Sequence, residues 1–165
     1  MFKYIKEQIN KMKRLSLLAV GMMLLFSLSA NAQVKQAVIG VDGFTCSLCA
    51  KGVEGQLSSL DFVKSVKTDL KATTFTIVFE NNKKINFSEI KDAVTDGGFT
   101  LRDIKVQADG TLSGDAASGF SLTTGNTPNL TLKNVSGDYS SGDKVMVMGN
   151  VNLPSSVKVT TIKKL

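Results

Sequence analysis

From residue 33 onward, apolar and polar residues follow two different spacings along the chain. Alternation over short β-branched runs is typical of strands, and a spacing of three to four is typical of a helix with one buried face. Up to residue 106 these spacings predict the order β-α-β-β-α-β. The elements predicted are a strand at Gln36–Asp42, a helix at Ser47–Leu60, strands at Phe62–Leu70 and Thr73–Glu80, a helix with Ser88 as its N-cap, and a strand at Phe99–Val106. This order predicts an α+β, ferredoxin-like fold with two helices on one face of an antiparallel sheet.

After Val106 the helical spacing disappears and Gly, Ser, Thr and Asn become frequent. Short β-type runs separated by turn residues predict a small all-β module over 107–165. Its later strands resemble those of an OB-like barrel, without a diagnostic motif. The runs lie at Gly119–Thr123, Leu130–Val135, Lys144–Val151 and Val157–Ile162.

Residues 1–32 have the organisation of a secretory signal peptide. Five basic residues and one acidic residue precede an apolar run at 15–28, and Ala30-Asn31-Ala32 provides a small-x-small cleavage site. The apolar run is short for a membrane span. We expect cleavage after Ala32, a periplasmic or secreted location, and no stable membrane insertion after cleavage. The domains predicted are therefore a signal peptide at 1–32, the ferredoxin-like domain at 33–106 and the all-β module at 107–165.

Composition argues against two broad classes of function. Loss of residues 1–32 removes a net charge of +4 from the formal +6, which leaves +2 on the mature chain. Because its Lys and Arg residues do not cluster and its aromatic residues are sparse, we expect no nucleic-acid binding. The chain has no His, so a Ser or Cys nucleophile lacks its commonest general base, and no carboxylates pair at a suggestive spacing. We therefore expect a non-enzyme.

The two cysteines of the chain lie three residues apart in the segment Gly43-Phe44-Thr45-Cys46-Ser47-Leu48-Cys49, between a predicted strand and a predicted helix. Free N–H groups at a helix N-terminus favour the thiolate form of nearby cysteines. Two thiolates in this position suit a soft ion such as Cu(I). A redox-active dithiol and a structural disulfide are the alternatives.

This loop, the helix behind it and the later segment Ala93-Val-Thr-Asp-Gly-Gly-Phe99 resemble the heavy-metal-associated domain of copper chaperones and metal-transport ATPases. The family loop is Gly-Met-Thr-Cys-x-x-Cys. The resemblance covers about residues 36–106, and it implies a ferredoxin-like fold and a surface site in which Cys46 and Cys49 bind the metal. Phe44 replaces the family Met, which packs beneath the loop, and Phe99 falls where the family places an aromatic residue or Lys.

The resemblance implies a protein that binds Cu(I) and carries or buffers it for a partner, and the signal-peptide pattern adds the expectation that it is exported. That partner would be a metal donor or acceptor, such as a transport ATPase or another metal-binding domain, to which the metal passes by thiol exchange. Hg(II) is the main alternative ion, because it also favours two thiolates. Zn(II) would require four ligands, for example in a dimer bridged by one ion. The sequence gives no prediction of oligomeric state.

Met146 and Met148 are the methionines that remain after residue 32, and they alternate on one predicted strand. They should therefore face the same side. Their thioethers could offer Cu(I) a second, weak site. Since Met commonly fills hydrophobic cores, the prediction favoured by the sequence is that both are core residues of the β module.

Overall fold

The computed structural model describes residues 33–165, which lie in one compact unit. The predicted signal peptide and its cleavage site fall outside these residues. Within the described part, no helix is both long and apolar enough to span a membrane. The elements are β1 (Val34–Asp42), α1 (Ser47–Ser58), β2 (Val63–Asp69), β3 (Thr74–Phe79), α2 (Phe87–Asp96), β4 (Thr100–Asp115), β5 (Gly119–Thr123), β6 (Leu130–Lys133), β7 (Lys144–Asn152) and β8 (Ser156–Lys164).

The first six elements form the ferredoxin-like sandwich that the sequence predicts. The strands are antiparallel in the order β2-β3-β1-β4. Alternate residues of β3 point inward, and α1 and α2 each bury one apolar face. Burial of these side chains away from water is what holds the two layers together. The fully buried residues of this part include Ile39, Val53, Leu57, Phe75, Ile77, Phe87, Ile90 and Val94.

The N-terminus of α2 corrects one sequence prediction. Ser88 is not the N-cap, because Phe87 is already helical and buried. The N-cap is Asn86, whose Oδ1 accepts a hydrogen bond of 3.0 Å from the Ser88 backbone N–H, while its Nδ2 donates to Glu89 at 2.8 Å. Asn and Ser are comparably good caps. The need to bury Phe87 therefore places the helix start two residues earlier than capping preference alone suggested.

Strand β4 is much longer than the sequence suggested. It continues from Thr100 to Asp115 without a break at residue 106. Its inward-facing positions remain small or apolar far beyond that point, and they include Ala108, Gly110 and Leu112. The proposed domain boundary at 106/107 thus lies inside a continuous strand that belongs to both parts of the fold.

The C-terminal strands close into a barrel around the second half of β4. The pairings run β4-β5-β6-β8-β7 and return to β4, and only the β6–β8 pair is parallel. This five-stranded ring has the connectivity of an OB-like barrel, which agrees with the predicted fold class. The interior contains Leu122, Leu130, Val145, Val147 and Val157, all nearly inaccessible to water.

Met146 and Met148 are not core residues, and the prediction that favoured the core was wrong. In β7 the buried positions are Val145, Val147, Gly149 and Val151, so the methionines face the outside of the barrel. Met148 is 42 % exposed. Alternation placed the two methionines on one side, as expected, but it could not decide which side is buried.

The loop between β5 and β6 fastens the barrel to the start of β1. Asn126, which is 2 % exposed, accepts a hydrogen bond from the Val34 N–H at 2.9 Å and donates to the Val34 carbonyl at 2.8 Å. The Asn126 carbonyl also accepts from the Ile85 N–H at 2.8 Å. A single buried side chain therefore satisfies both polar groups of a strand residue.

The strand registers place the cysteine loop and the barrel at opposite ends of β1. Asp42, at the loop end, pairs with Thr100, whereas Val34 pairs with Ala108, beyond which β4 enters the barrel. Nine residues of strand span about 26 Å between their first and last Cα atoms. The junction between the barrel and the start of β1 is therefore far from the cysteine loop, although the end of β7 reaches along β4 to a groove that Thr100 also lines.

Candidate metal site at the cysteine loop

Cys46 and Cys49 lie where β1 gives way to α1, as the sequence predicted. Cys46 is the N-cap residue of α1, with an extended backbone, and its Sγ accepts a hydrogen bond of 3.1 Å from the Cys49 N–H. Cys49 is the third residue of the helix. The sulfur of Cys46 thus replaces the oxygen that usually caps a helix N-terminus, and both side chains are gathered at the positive end of the helix.

The two cysteines form a disulfide in this structure, with a Cα–Cα distance of 5.3 Å. The backbone therefore already brings the two sulfurs together. Cys46 is exposed and Cys49 is partly buried, so the site lies at the surface. After reduction, both thiols would be close enough to share one ion and open enough for an incoming ligand to reach them.

The electrostatic surroundings favour negative sulfur. The first turn of α1 has no acidic residue that would cancel the partial positive charge of the helix end. Glu54 lies further along the helix, where it accepts a hydrogen bond from Thr68 at 2.8 Å. Soft anionic sulfur at a helix N-terminus is a suitable ligand for soft metal ions.

Cys46 and Cys49 are the side chains that this site offers as metal ligands. Among residues 33–165, no cluster of three or more His, Cys, Asp or Glu side chains could hold a metal ion. Two thiolates suit an ion that accepts two-coordinate sulfur ligation, whereas a structural zinc site normally uses four ligands.

Phe44 supports the loop from below. Its side chain is 7 % exposed, and its ring centroid lies 5.6 Å from that of Phe75 and 6.1 Å from that of Phe99. Phe99 meets Phe44 edge to face and is itself partly buried. Phe therefore fills the core position beneath the loop that the sequence assigned to it, and Phe99 contributes to the same packing.

An ionic cluster at the base of the loop was not anticipated from the sequence. Arg102 donates to Asp42 at 2.7 Å and to the Thr73 hydroxyl at 3.1 Å. Its guanidinium lies across Gly40, where a Cβ would come within 2.6 Å of it. Gly40 was the available signal, because a glycine inside a strand often marks a close approach. The cluster joins the end of β1 to the β2–β3 turn and to β4, next to the cysteine loop.

Comparison with known proteins agrees with this geometry. Residues 38–100 match the heavy-metal-associated domain family. The copper chaperone CopZ of Staphylococcus aureus is 29 % identical over 68 residues, which are 41 % of this chain and 98 % of CopZ. A probable copper-exporting P-type ATPase of Archaeoglobus fulgidus is 34 % identical over 68 residues, but the match spans only 8 % of its length. The human copper-transporting ATPase 2 is 29 % identical over 93 residues, or 6 % of its length.

Two solved structures also align with part of the chain. A CopZ metallochaperone aligns with 28 % identity and a TM-score of 0.38, over 41 % of this chain and 98 % of its own. The copper transporter domain Ccc2a of yeast aligns with 25 % identity and a TM-score of 0.38, over 41 % of this chain and 92 % of its own.

Proposed function

We propose that the protein binds Cu(I) through Cys46 and Cys49 and carries or buffers it for a partner, starting from the match of residues 38–100 to the heavy-metal-associated domain family. The observation that supports this proposal most strongly is the position of the two sulfurs. One caps α1 and the other lies in its first turn, 5.3 Å apart at Cα. The names of the relatives, copper chaperones and copper-transporting ATPases, support copper as the cargo.

Loading requires the reduced form of the pair. Two electrons and two protons convert the disulfide into two thiols, and metal binding then releases the thiol protons. The N–H groups of the first turn of α1, among them the Cys49 N–H that donates to Cys46 Sγ, stabilise the resulting negative charge. The Phe44 packing keeps the loop in place while its cysteines change state.

The exposed position of Cys46 supports transfer of the metal to a partner. A thiolate of a partner domain could approach through the solvent-exposed side of Cys46, form a shared sulfur site and displace the two ligands in turn. Leu48, between the cysteines, is 77 % exposed, so it would be among the first side chains that such a partner meets. We propose a transport ATPase or another metal-binding domain as donor or acceptor.

The proposal includes export, based on the signal-peptide pattern of residues 1–32. In an oxidising compartment the pair would need a reductant before loading. A carrier of Hg(II) is the alternative within the same chemistry. A thiol–disulfide redox protein is the alternative from a different class, and the bond between Cys46 and Cys49 is the observation that favours it.

The test is an anaerobic Cu(I) titration of the reduced protein in competition with a chromophoric chelator. The comparison variant is Cys46→Ser/Cys49→Ser, which retains a side-chain oxygen for capping α1 and should therefore keep the fold. One tightly bound Cu(I) per chain, lost in the variant, is the expected result. Equal binding by the two proteins would refute the proposal. Measuring Hg(II) affinity and the dithiol reduction potential would then separate the two alternatives.

A further inference from the structure

The outer face of the barrel contains a pair of methionines that the fold does not require. Met146 and Met148 project from β7 away from the core, while Val145 and Val147 between and beside them are buried to within 1 %. Met148 is 42 % exposed, and the exposed part of its side chain contributes nothing to the packing of the core. On the same face, the direct neighbours of the pair are Gln107 and Asp109 on β4 and Thr161 and Lys163 on β8, so the two thioethers are an isolated apolar feature among polar side chains.

Strand pairing places two oxygen-bearing side chains next to these sulfurs. On β4, Gln107 pairs with Met148 and Asp109 pairs with Met146. The four residues form a square on one face of the sheet, because directly opposed side chains have Cβ atoms about 5 Å apart. Gln107 also contacts its diagonal neighbour, because its Nε2 lies 3.3 Å from Met146 Sδ. The Met146 sulfur is therefore turned toward Gln107, the residue opposite Met148.

The two sulfurs can approach one another. Residues two apart on a strand are separated by about 7 Å at Cα, and three rotatable bonds let each thioether move toward its neighbour. Beside Met148, an open groove of about 280 Å³ is lined in part by Gly149 and Thr161. It gives the Met148 side chain room to turn.

We propose that Met146 and Met148 form a second site for a soft monovalent ion, Cu(I) in the cell. Asp109 and Lys163 flank Met146 on the two neighbouring strands and offset each other's charge, so the two thioethers rather than a carboxylate hold the ion. Thioether sulfur selects soft ions. Unlike a cysteine pair, it cannot be lost to disulfide formation, so this site stays available when Cys46 and Cys49 are bonded. It binds more weakly than two thiolates because its ligands are neutral, and it lies toward the barrel end of β1 rather than at the cysteine loop.

The test uses the exported protein, recovered from a host that expresses the full chain, in its oxidised form. Cys46 and Cys49 are then bonded to each other, so the experiment does not depend on the proposed cysteine site and either proposal can fail alone. Ag(I) in chloride-free buffer serves as the probe, because it is a soft monovalent ion without redox chemistry here. Binding is followed by the methionine methyl signals in carbon-13 NMR, assigned with Met146→Leu and Met148→Leu.

Both methyl signals should shift together and reach their end points at one Ag(I) per chain. In Met146→Leu/Met148→Leu, whose leucines keep the size of the side chains, the dissociation constant should rise at least about tenfold. A matched control adds Leu70→Met to that double variant, which places one exposed thioether on a remote turn and should not restore affinity. Unshifted methyl signals, equal affinity in the double variant, or rescue by the control would each overturn the site.

Discussion

Asn126 supplies both hydrogen bonds of the Val34 backbone at the point where the barrel meets the first strand, so Asn126→Ala should destabilise the whole fold. The side chain is buried, and its two bonds to Val34 are 2.9 and 2.8 Å long. Alanine removes both partners and leaves a buried N–H and a buried C=O unpaired. Each such group costs about 1–3 kcal/mol, so for the two groups we expect a loss of about 2–6 kcal/mol in the free energy of unfolding.

The assay is urea unfolding at equilibrium, monitored by circular dichroism. The free energies of unfolding of the variant and the unsubstituted protein are compared with the same m-value for both. Asn129→Ala is the matched control, because it lies in the same connection but is exposed and bonds only to Thr123. It should cost less than about 0.5 kcal/mol. Because Val34 and the cysteine loop lie at opposite ends of β1, Cu(I) affinity should be unchanged in both variants.

A loss below about 1 kcal/mol for Asn126→Ala would refute this reasoning, since it would mean that water or a shifted loop satisfies Val34 without cost. A large loss in Asn129→Ala would refute it differently, by showing that the loop as a whole, rather than one side chain, stabilises the junction.

Three further expectations follow from the structure. Phe44→Ala should lower the free energy of unfolding by about 3–5 kcal/mol. Phe44→Met nearly keeps the packed volume and should therefore lower it by less than about 1.5 kcal/mol. Urea unfolding measures both losses, and equal losses would contradict the packing argument. The hydrogen bond from Lys164 and then that from the Ser140 N–H lower the pKa of Asp143 below its ordinary 3.8. This contact therefore stabilises the fold above pH 3.8 and is lost as the pH falls through the lower folded value. In Lys164→Met the pKa of Asp143, read by NMR titration, should move back toward 3.8, and an unmoved pKa would exclude Lys164 as the main cause. A chain ending at residue 106 should unfold at lower urea concentration than the full chain, because it loses the β7 partner of β4 and the hydrogen bonds from Asn126. Equal midpoints of urea unfolding for the two chains would instead show that the first domain is stable alone.

The local pattern of the sequence was sufficient for the first half of the fold. Alternation in β3 and the three-to-four spacing in α1 identify buried faces directly, because each of these elements buries one side against a single layer. The cysteine loop was located for the same reason, since a strand end and a helix start fixed Cys46 and Cys49 between them. Their role as metal ligands remains a prediction.

The ends of the elements and the strand shared by the two parts of the fold were harder to predict from the sequence. Ser88 and Asn86 have similar capping preference, and the choice between them depended on burying Phe87. The continuation of β4 to Asp115 was hidden because the Gly and Asp residues after 107 read as turn signals, although Gly110 faces the crowded barrel interior, where a Cβ would collide with Leu122.

Only the tertiary structure decided which face of β7 is buried, how the barrel closes and which side chains lock its junction. A period of two is the same whichever face points inward, so Met146 and Met148 could be placed together but not placed outside. The bonds from Asn126 to Val34 join residues 92 apart, and the contact of Arg102 with Asp42 joins residues 60 apart. Local preference determines contacts within a few residues along the chain, whereas contacts at such separations exist only after the sheet has closed and brought their partners together.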